Sequence, residues 1–351
     1  MGCIWLTKPI WYFSVMGSNR GDQAIREAVK AQLSKRVDVP IAFFSCKTDL
    51  LDIKRINQLN EEGSMLLIAG SGLYSNYNLE SGFYFRGTPD NFKHIKVPIV
   101  LLSIGMNNHL EMDRFGPLQP DTLKSIKELN QLASHTSTRD HRTLRMLYDL
   151  GIEKAAFVPD PAMFCPKTAF PFQPKNTRLV GLSIAQHATM LKHRRQKIIE
   201  LFIGVCHALD ARGYTPIFIS HDALEHNIYE DLKAQYPALL YYSNDSPREM
   251  MSLYEKCEFT IGVRCHSNIM SFGSCTPFIC LAYDQKQVEF CKIAGVIPIL
   301  LSNNPELDQI LYYVDRLQED FILTKRDMSR RWLDLYKIFA TSMDEIARLV
   351  K

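Results

Sequence analysis

Short, unbroken apolar runs alternate with amphipathic stretches along almost the whole chain. "IWYFSV" (10–15), "PIAFFS" (40–45), "SMLLIAGSG" (64–72) and "VPIVLLSIG" (97–105) are apolar at nearly every position, not at every second one. That is what a strand needs when both faces of its sheet are covered, as in a parallel sheet. Between the first two runs, "GDQAIREAVKAQL" sets Ile25, Ala28, Val29 and Leu33 on one helical face. Strand, helix and strand in this rhythm predict βαβ units and a doubly wound sheet.

The rhythm breaks at 165–178, where "CPKTAFPFQPKNTR" carries three prolines. Proline fixes φ and removes a donor, so neither a helix nor a central strand continues through it. A second series of runs follows: "RLVGLSIA" (178–185), "TPIFIS" (215–220), "ALLYYS" (238–243), "FTIGV" (259–263) and "PFICLAY" (277–283), with helical segments at 191–211 and 246–256 between them. The expected fold is α/β, two doubly wound Rossmann-like domains facing a cleft, which resembles the GT-B arrangement. The expected domains are 1–170, including an aromatic loop at 73–96 on the acceptor side; 178–315, holding the anion site; and a helical segment at 316–351. In that last segment Trp332, Leu335, Tyr336, Phe339, Met343 and Ile346 form one stripe, read as packing on the domains. The basic "KRDMSRRW" beside it leaves peripheral contact with a membrane as the other reading.

Composition narrows the function classes. The 351 residues are 46% hydrophobic and 23% charged, enough for sizeable cores. A net charge of +3 with no Lys/Arg block excludes an electrostatic case for nucleic acid. Nine scattered cysteines form no CxxC and no zinc-like cluster with histidine, so no metal site is expected. Thiols of this kind, and an N-terminus without the basic start and cleavage site of a signal peptide, suit a cytoplasmic protein. No run reaches the roughly 18 apolar residues of a membrane span.

Candidate chemistry gathers where strands end. In "GVRCHSNIMSFGSCTPFICLAYDQK" the strand at 259–263 gives way to a helix beginning near Ser267. A helix start after a strand is an anion site, because its N–H groups and dipole point at the ligand. Arg264 adds a permanently charged fork for carboxylate or phosphate, and His266 can donate to a phosphate oxygen or move a proton; the other reading is a pair that serves only internal hydrogen bonds. Gly273 suits close helix–strand packing. In "SNRGDQA", Asn19 and Gly21 suit a tight turn and Asp22 a helix cap, or all three a ligand contact. In "TSTRDHRTL" Arg139 opposes the dipole of the helix it opens, which points to another task, and "FVPDPAMF" sets Asp160 in a rigid turn. His109, His187 and His221 fall just past strand ends and together suit a polar cleft. In the 73–96 connection, Tyr74 and Tyr77 with Phe83 and Tyr84 suit the faces of a sugar ring, or a packed surface loop.

From "NRGDQAI" through "STRDHRTLRMLYDLGI" and "VPDPAMF" to the Arg-x-His and Tyr-Asp-x-Lys of "GVRCHSNIMSFGSCTPFICLAYDQK", the chain resembles the polysaccharide pyruvyl transferase family. The resemblance implies a GT-B-like enzyme that forms a pyruvate ketal on two hydroxyls of a saccharide, with phosphoenolpyruvate as co-substrate and no cofactor. The acceptor is free, lipid-linked or nucleotide-linked. On that reading Arg264, His266 and Arg139 anchor the two anionic ends of the donor, with Asn19, Gly21, Asp22, Ser267, His187, Tyr74 and Tyr77 as further substrate contacts. His266 serves acid catalysis first, with Asp160 and His109 behind it. Arg264→Ala is expected to abolish turnover and leave the fold intact. Two alternatives remain open: a nucleotide-sugar glycosyltransferase, with Asp284 or Glu289 at the ribose, and a non-catalytic glycan- or anion-binding relative.

Overall fold

The computed structural model describes residues 7–46, 48–76, 89–107, 117–169, 178–189 and 194–350. The chain forms two compact units. The first comprises Met1–Gly17, Ile25–Pro161 and Asp334–Lys351, and the second Ser18–Ala24 and Ala162–Leu333. The changeover therefore falls at Pro161/Ala162, ahead of the proline-rich 165–178, and the C-terminal segment expected as one piece is divided at Leu333.

The first unit holds a six-stranded parallel sheet of β1 (Ile10–Ser14), β2 (Ile41–Ser45), β3 (Met65–Ala69), β4 (Ile99–Ile104), β5 (His135–Thr138) and β6 (Ala156–Phe157), in the order β2-β1-β3-β4-β5-β6. Every residue of β1, β3 and β4 is buried, as their unbroken apolar runs require. The equally apolar β2 is only half-buried, because it lies at the edge. Its Phe44 stacks on Trp11 and Phe13 at 4.4 and 5.0 Å between ring centroids, and the Arg55 guanidinium sits 5.5 Å from the Phe44 ring. Ile25, Ala28, Val29 and Leu33 of the helix Arg20–Leu33 are buried on their predicted face.

The second unit repeats the plan with β7 (Leu179–Ser183), β8 (Thr215–Ile219), β9 (Leu240–Tyr242), β10 (Phe259–Gly262), β11 (Phe278–Ala282) and β12 (Ile299–Leu300), all parallel, ordered β12-β11-β10-β7-β8-β9. The chain builds outward one way from β7 and then the other way from β10. The β7/β10 junction is thus the topological switch point, where open α/β sheets bind ligands at their carboxyl ends. β6 and β12, two residues each, are too short to show as apolar runs.

Leu335, Phe339, Met343 and Ile346 of the helix Phe321–Ala347 are buried, so their stripe is not available to a membrane surface. Trp332 donates its indole N–H to the Met163 carbonyl at 3.2 Å within the second unit. Among the described residues, no helix is long and apolar enough to cross a membrane. Burial pushes the thiols of Cys206 and Cys257 up to about 12, which makes them inert packing groups.

Candidate active site

The site in the second unit begins at Gly262, the last residue of β10. A side chain there would collide with Ser267 and Asn268, so glycine lets the helix Cys265–Gly273 fold back tightly over the strand end. Arg264 takes the N-cap position in extended backbone (φ −85°, ψ 133°) and makes no side-chain cap bond. The Ser267 hydroxyl, expected to meet substrate, donates instead to the Arg264 carbonyl at 2.7 Å and accepts from Ser183 Oγ, at the end of β7, at 2.5 Å. Gly273 admits the backbone of Met163, not a strand: a Cβ there would strike Met163 itself.

The N-terminal motif reaches this same place. The helix Arg20–Leu33 starts two residues before Asp22, and its cap is Asn19, whose side chain accepts the Gly21 N–H at 3.0 Å. Asp22 is therefore not the cap; it lies buried in the first helical turn. The Arg20 N–H donates to the His221 carbonyl at 3.0 Å, Ser18 Oγ to Asp222 at 3.1 Å, and the Arg20 guanidinium pairs with Asp245. Gly21 lies directly against His266, since an added Cβ would stand 2.0 Å from the imidazole Cγ and 2.2 Å from Nδ1. Residues 245 positions apart are thus in contact, and Ser18–Ala24 belongs with the second unit although Ile25–Leu33 of the same helix does not.

The loop after β8 completes the site. Glu225, fully buried, accepts from the Arg264 guanidinium through one carboxylate oxygen and from the His221 N–H through the other, at 2.7 Å. His221 is equally buried, and its Nε2 lies 2.6 Å from the Tyr254 hydroxyl. Burial first, and then the Arg264, His266 and Arg20 charges, hold the His221 imidazole well below its ordinary range, so it is neutral at pH 7. Burial pushes the Tyr254 hydroxyl well above its ordinary value and that of Tyr283 to about 12, so both stay protonated. Burial also raises the Glu225 carboxyl, opposed by Arg264 and the His221 N–H. Glu225 and Tyr254 carry no readable signal. Asp222-Ala-Leu-Glu225 has the spacing of a capping box, and Asp222 does accept the Leu224 N–H at 3.1 Å, but the reach of Glu225 to Arg264 exists only in the fold.

The first unit holds the other candidates. Arg139 and Asp160 form a buried ion pair at 2.8 Å, and Gly105 leaves room for the Arg139 side chain. The task that takes Arg139 away from its helix dipole is thus supplied by Asp160, while Asp140 caps the helix His141–Asp149 by accepting the Thr143 N–H at 2.7 Å. Tyr74 corrects the sugar-platform reading. Its ring is fully buried and its hydroxyl donates to Asn130 at 3.0 Å, so it presents no face to a ligand. Tyr77, Phe83, Tyr84 and His109 lie outside the described residues, as does the side chain of His187, whose backbone falls in the short helix Gln186–Thr189. Asp284 and Glu289, the ribose candidates, pair with Lys286 at 3.1 Å and Lys292 at 2.6 Å, and Asp284 caps its own helix.

A sequence profile of the polysaccharide pyruvyl transferase family matches residues 19–285, from Asn19 of the N-terminal motif to Gln285 beside Tyr283 and Asp284. The chain belongs to this family. A polysaccharide pyruvyl transferase is an enzyme with a pyruvyl-transferase-type function acting on a saccharide. No curated protein sequence matches the chain. Solved structures share the transferase's fold at low identity. A Neisseria meningitidis UDP-GlcNAc 2-epimerase bound to UDP-GlcNAc is 10% identical with a TM-score of 0.61, covering 98% of this chain and 99% of its own. The S. aureus MnaA–UDP co-structure is 10% identical at 0.60, covering 92% and 91%. The Methanocaldococcus jannaschii UDP-GlcNAc 2-epimerase is 12% identical at 0.55, covering 97% and 99%. These likenesses establish the two-unit α/β fold of the GT-B kind.

Proposed function

We propose that this pyruvyl transferase takes its three-carbon unit from phosphoenolpyruvate and closes it as a ketal on two hydroxyls of a saccharide. The observation that carries the reading is the convergence of Arg264, His266 and the Asn19–Asp22 turn at the switch point of the second sheet. Arg264 and the first N–H groups of the helix Cys265–Gly273 would receive an anionic end of the donor. In the reaction, C3 of the enol gains a proton and becomes the methyl group, while the first hydroxyl adds to C2 and gives up its proton. The second hydroxyl then bonds to C2 as the C2–O bond to phosphate breaks, and its proton leaves with the phosphate. In this reading His266, two residues from Arg264, would deliver or receive these protons.

The test is phosphate release from phosphoenolpyruvate with pooled saccharide acceptors, using His266→Asn and Arg264→Lys as controls. Lysine keeps a cation for Glu225 but loses the planar fork. Acceptor-dependent release that both variants lose supports the assignment. No release with any acceptor, together with a thermal shift on adding a nucleotide sugar, would replace it with glycosyl transfer.

A further inference from the structure

Arg264 does not stand alone in the site. Glu225 is fully buried and takes the Arg264 guanidinium on one oxygen and the His221 N–H on the other. The His221 carbonyl in turn receives the Arg20 N–H, which fixes the turn whose Gly21 lies against His266. One peptide stretch at the end of β8 therefore holds both Arg264, through a carboxylate, and His266, through the turn beneath it. An arginine has four rotatable side-chain bonds, and its fork selects a planar anion only if the guanidinium plane is held. A buried carboxylate beside a charge that must bind an anion also works against ground-state affinity, since it neutralises part of the attraction. Keeping it there makes physical sense if orientation matters more than tight binding.

We infer that Glu225 is a positioning residue for the transfer, which sets the plane of Arg264 and moderates its charge. This rests on the proposed function for its kinetic consequence. Glu225→Gln keeps the size and an acceptor but removes the charge. It should lower kcat by roughly 10- to 100-fold, the scale of a misplaced reacting geometry, while KM for phosphoenolpyruvate stays level or falls. A merely structural role predicts a smaller folded fraction with an unchanged kcat per folded molecule, and that result overturns the inference. So does a raised KM at unchanged kcat.

A second readout needs no turnover. In the wild-type protein the Arg264 Nη–H groups should give separate 15N-resolved NMR signals, identified by their loss in Arg264→Lys, because the carboxylate slows rotation of the fork. In Glu225→Gln they should merge. Identical spectra would count against the positioning role. If phosphoenolpyruvate proves not to be the donor, the proposed function fails, and these spectra still decide the role of Glu225.

Discussion

At Gly21 any side chain would have to occupy the space of the His266 ring, while nothing lies within 4 Å of where a Cβ would stand on Gly17. Gly21→Ala should therefore cut turnover by about tenfold or more through a displaced imidazole, an effect in the range of lost general acid catalysis. Gly17→Ala should leave turnover unchanged, and steady-state rates on both variants check this. Arg264→Ala is the case in which the structure alters the expectation. The substitution removes more than a surface charge, because it strands a fully buried Glu225 carboxylate, and breaking a buried pair costs about 3–5 kcal/mol. The variant should be inactive and also less stable. Without Arg264 the already raised carboxyl rises further, so the loss is fully expressed above that folded-state value. It shrinks as pH falls toward the ordinary carboxyl range, where Glu225 is protonated in both states. Urea unfolding of wild type and variant at pH 7 and near pH 5 reads the narrowing, and a constant difference would contradict it.

At the level of elements, apolar runs locate central strands well and say less about their edges. β1 and β2 read alike in sequence, yet one is buried throughout and the other only half, since edge position comes from strand order. Caps show a similar limit. "SNRGD" contains three good capping residues, and only the backbone path selects Asn19 over Asp22. The Arg139–Asp160 pair belongs to this scale as well, for it ties the turn after β5 to the turn after β6 inside the first unit. Asp160→Ala should destabilise that unit by about 3 kcal/mol or more through an unpaired buried guanidinium. Arg139→Met combined with Asp160→Leu should recover much of the loss, and a double-mutant cycle by denaturant unfolding measures the coupling.

On the scale of the whole molecule, chain order and compact units part company at two places. Ser18–Ala24 belongs to the second unit and Asp334–Lys351 to the first. Phe339, Met343 and Ile346 are fully buried there, so Phe339→Ala should cost about 3–5 kcal/mol. Truncation after Leu333 should open the unit of β1–β6 to limited proteolysis, although it removes nothing from the N-terminal half. By itself the sequence determined the alternation of strands and helices, the α/β class, the two sheets and the Arg264–His266 motif, because these follow from local periodicity and from residue chemistry at strand ends. Tertiary structure alone decided that Gly21 lies against His266, that Glu225 holds Arg264, that Asp160 answers Arg139 and that Tyr74 is a core residue. Those facts depend on which strand ends and turns meet in space. Contacts between residues tens to hundreds of positions apart leave no period in the chain for a reader to find.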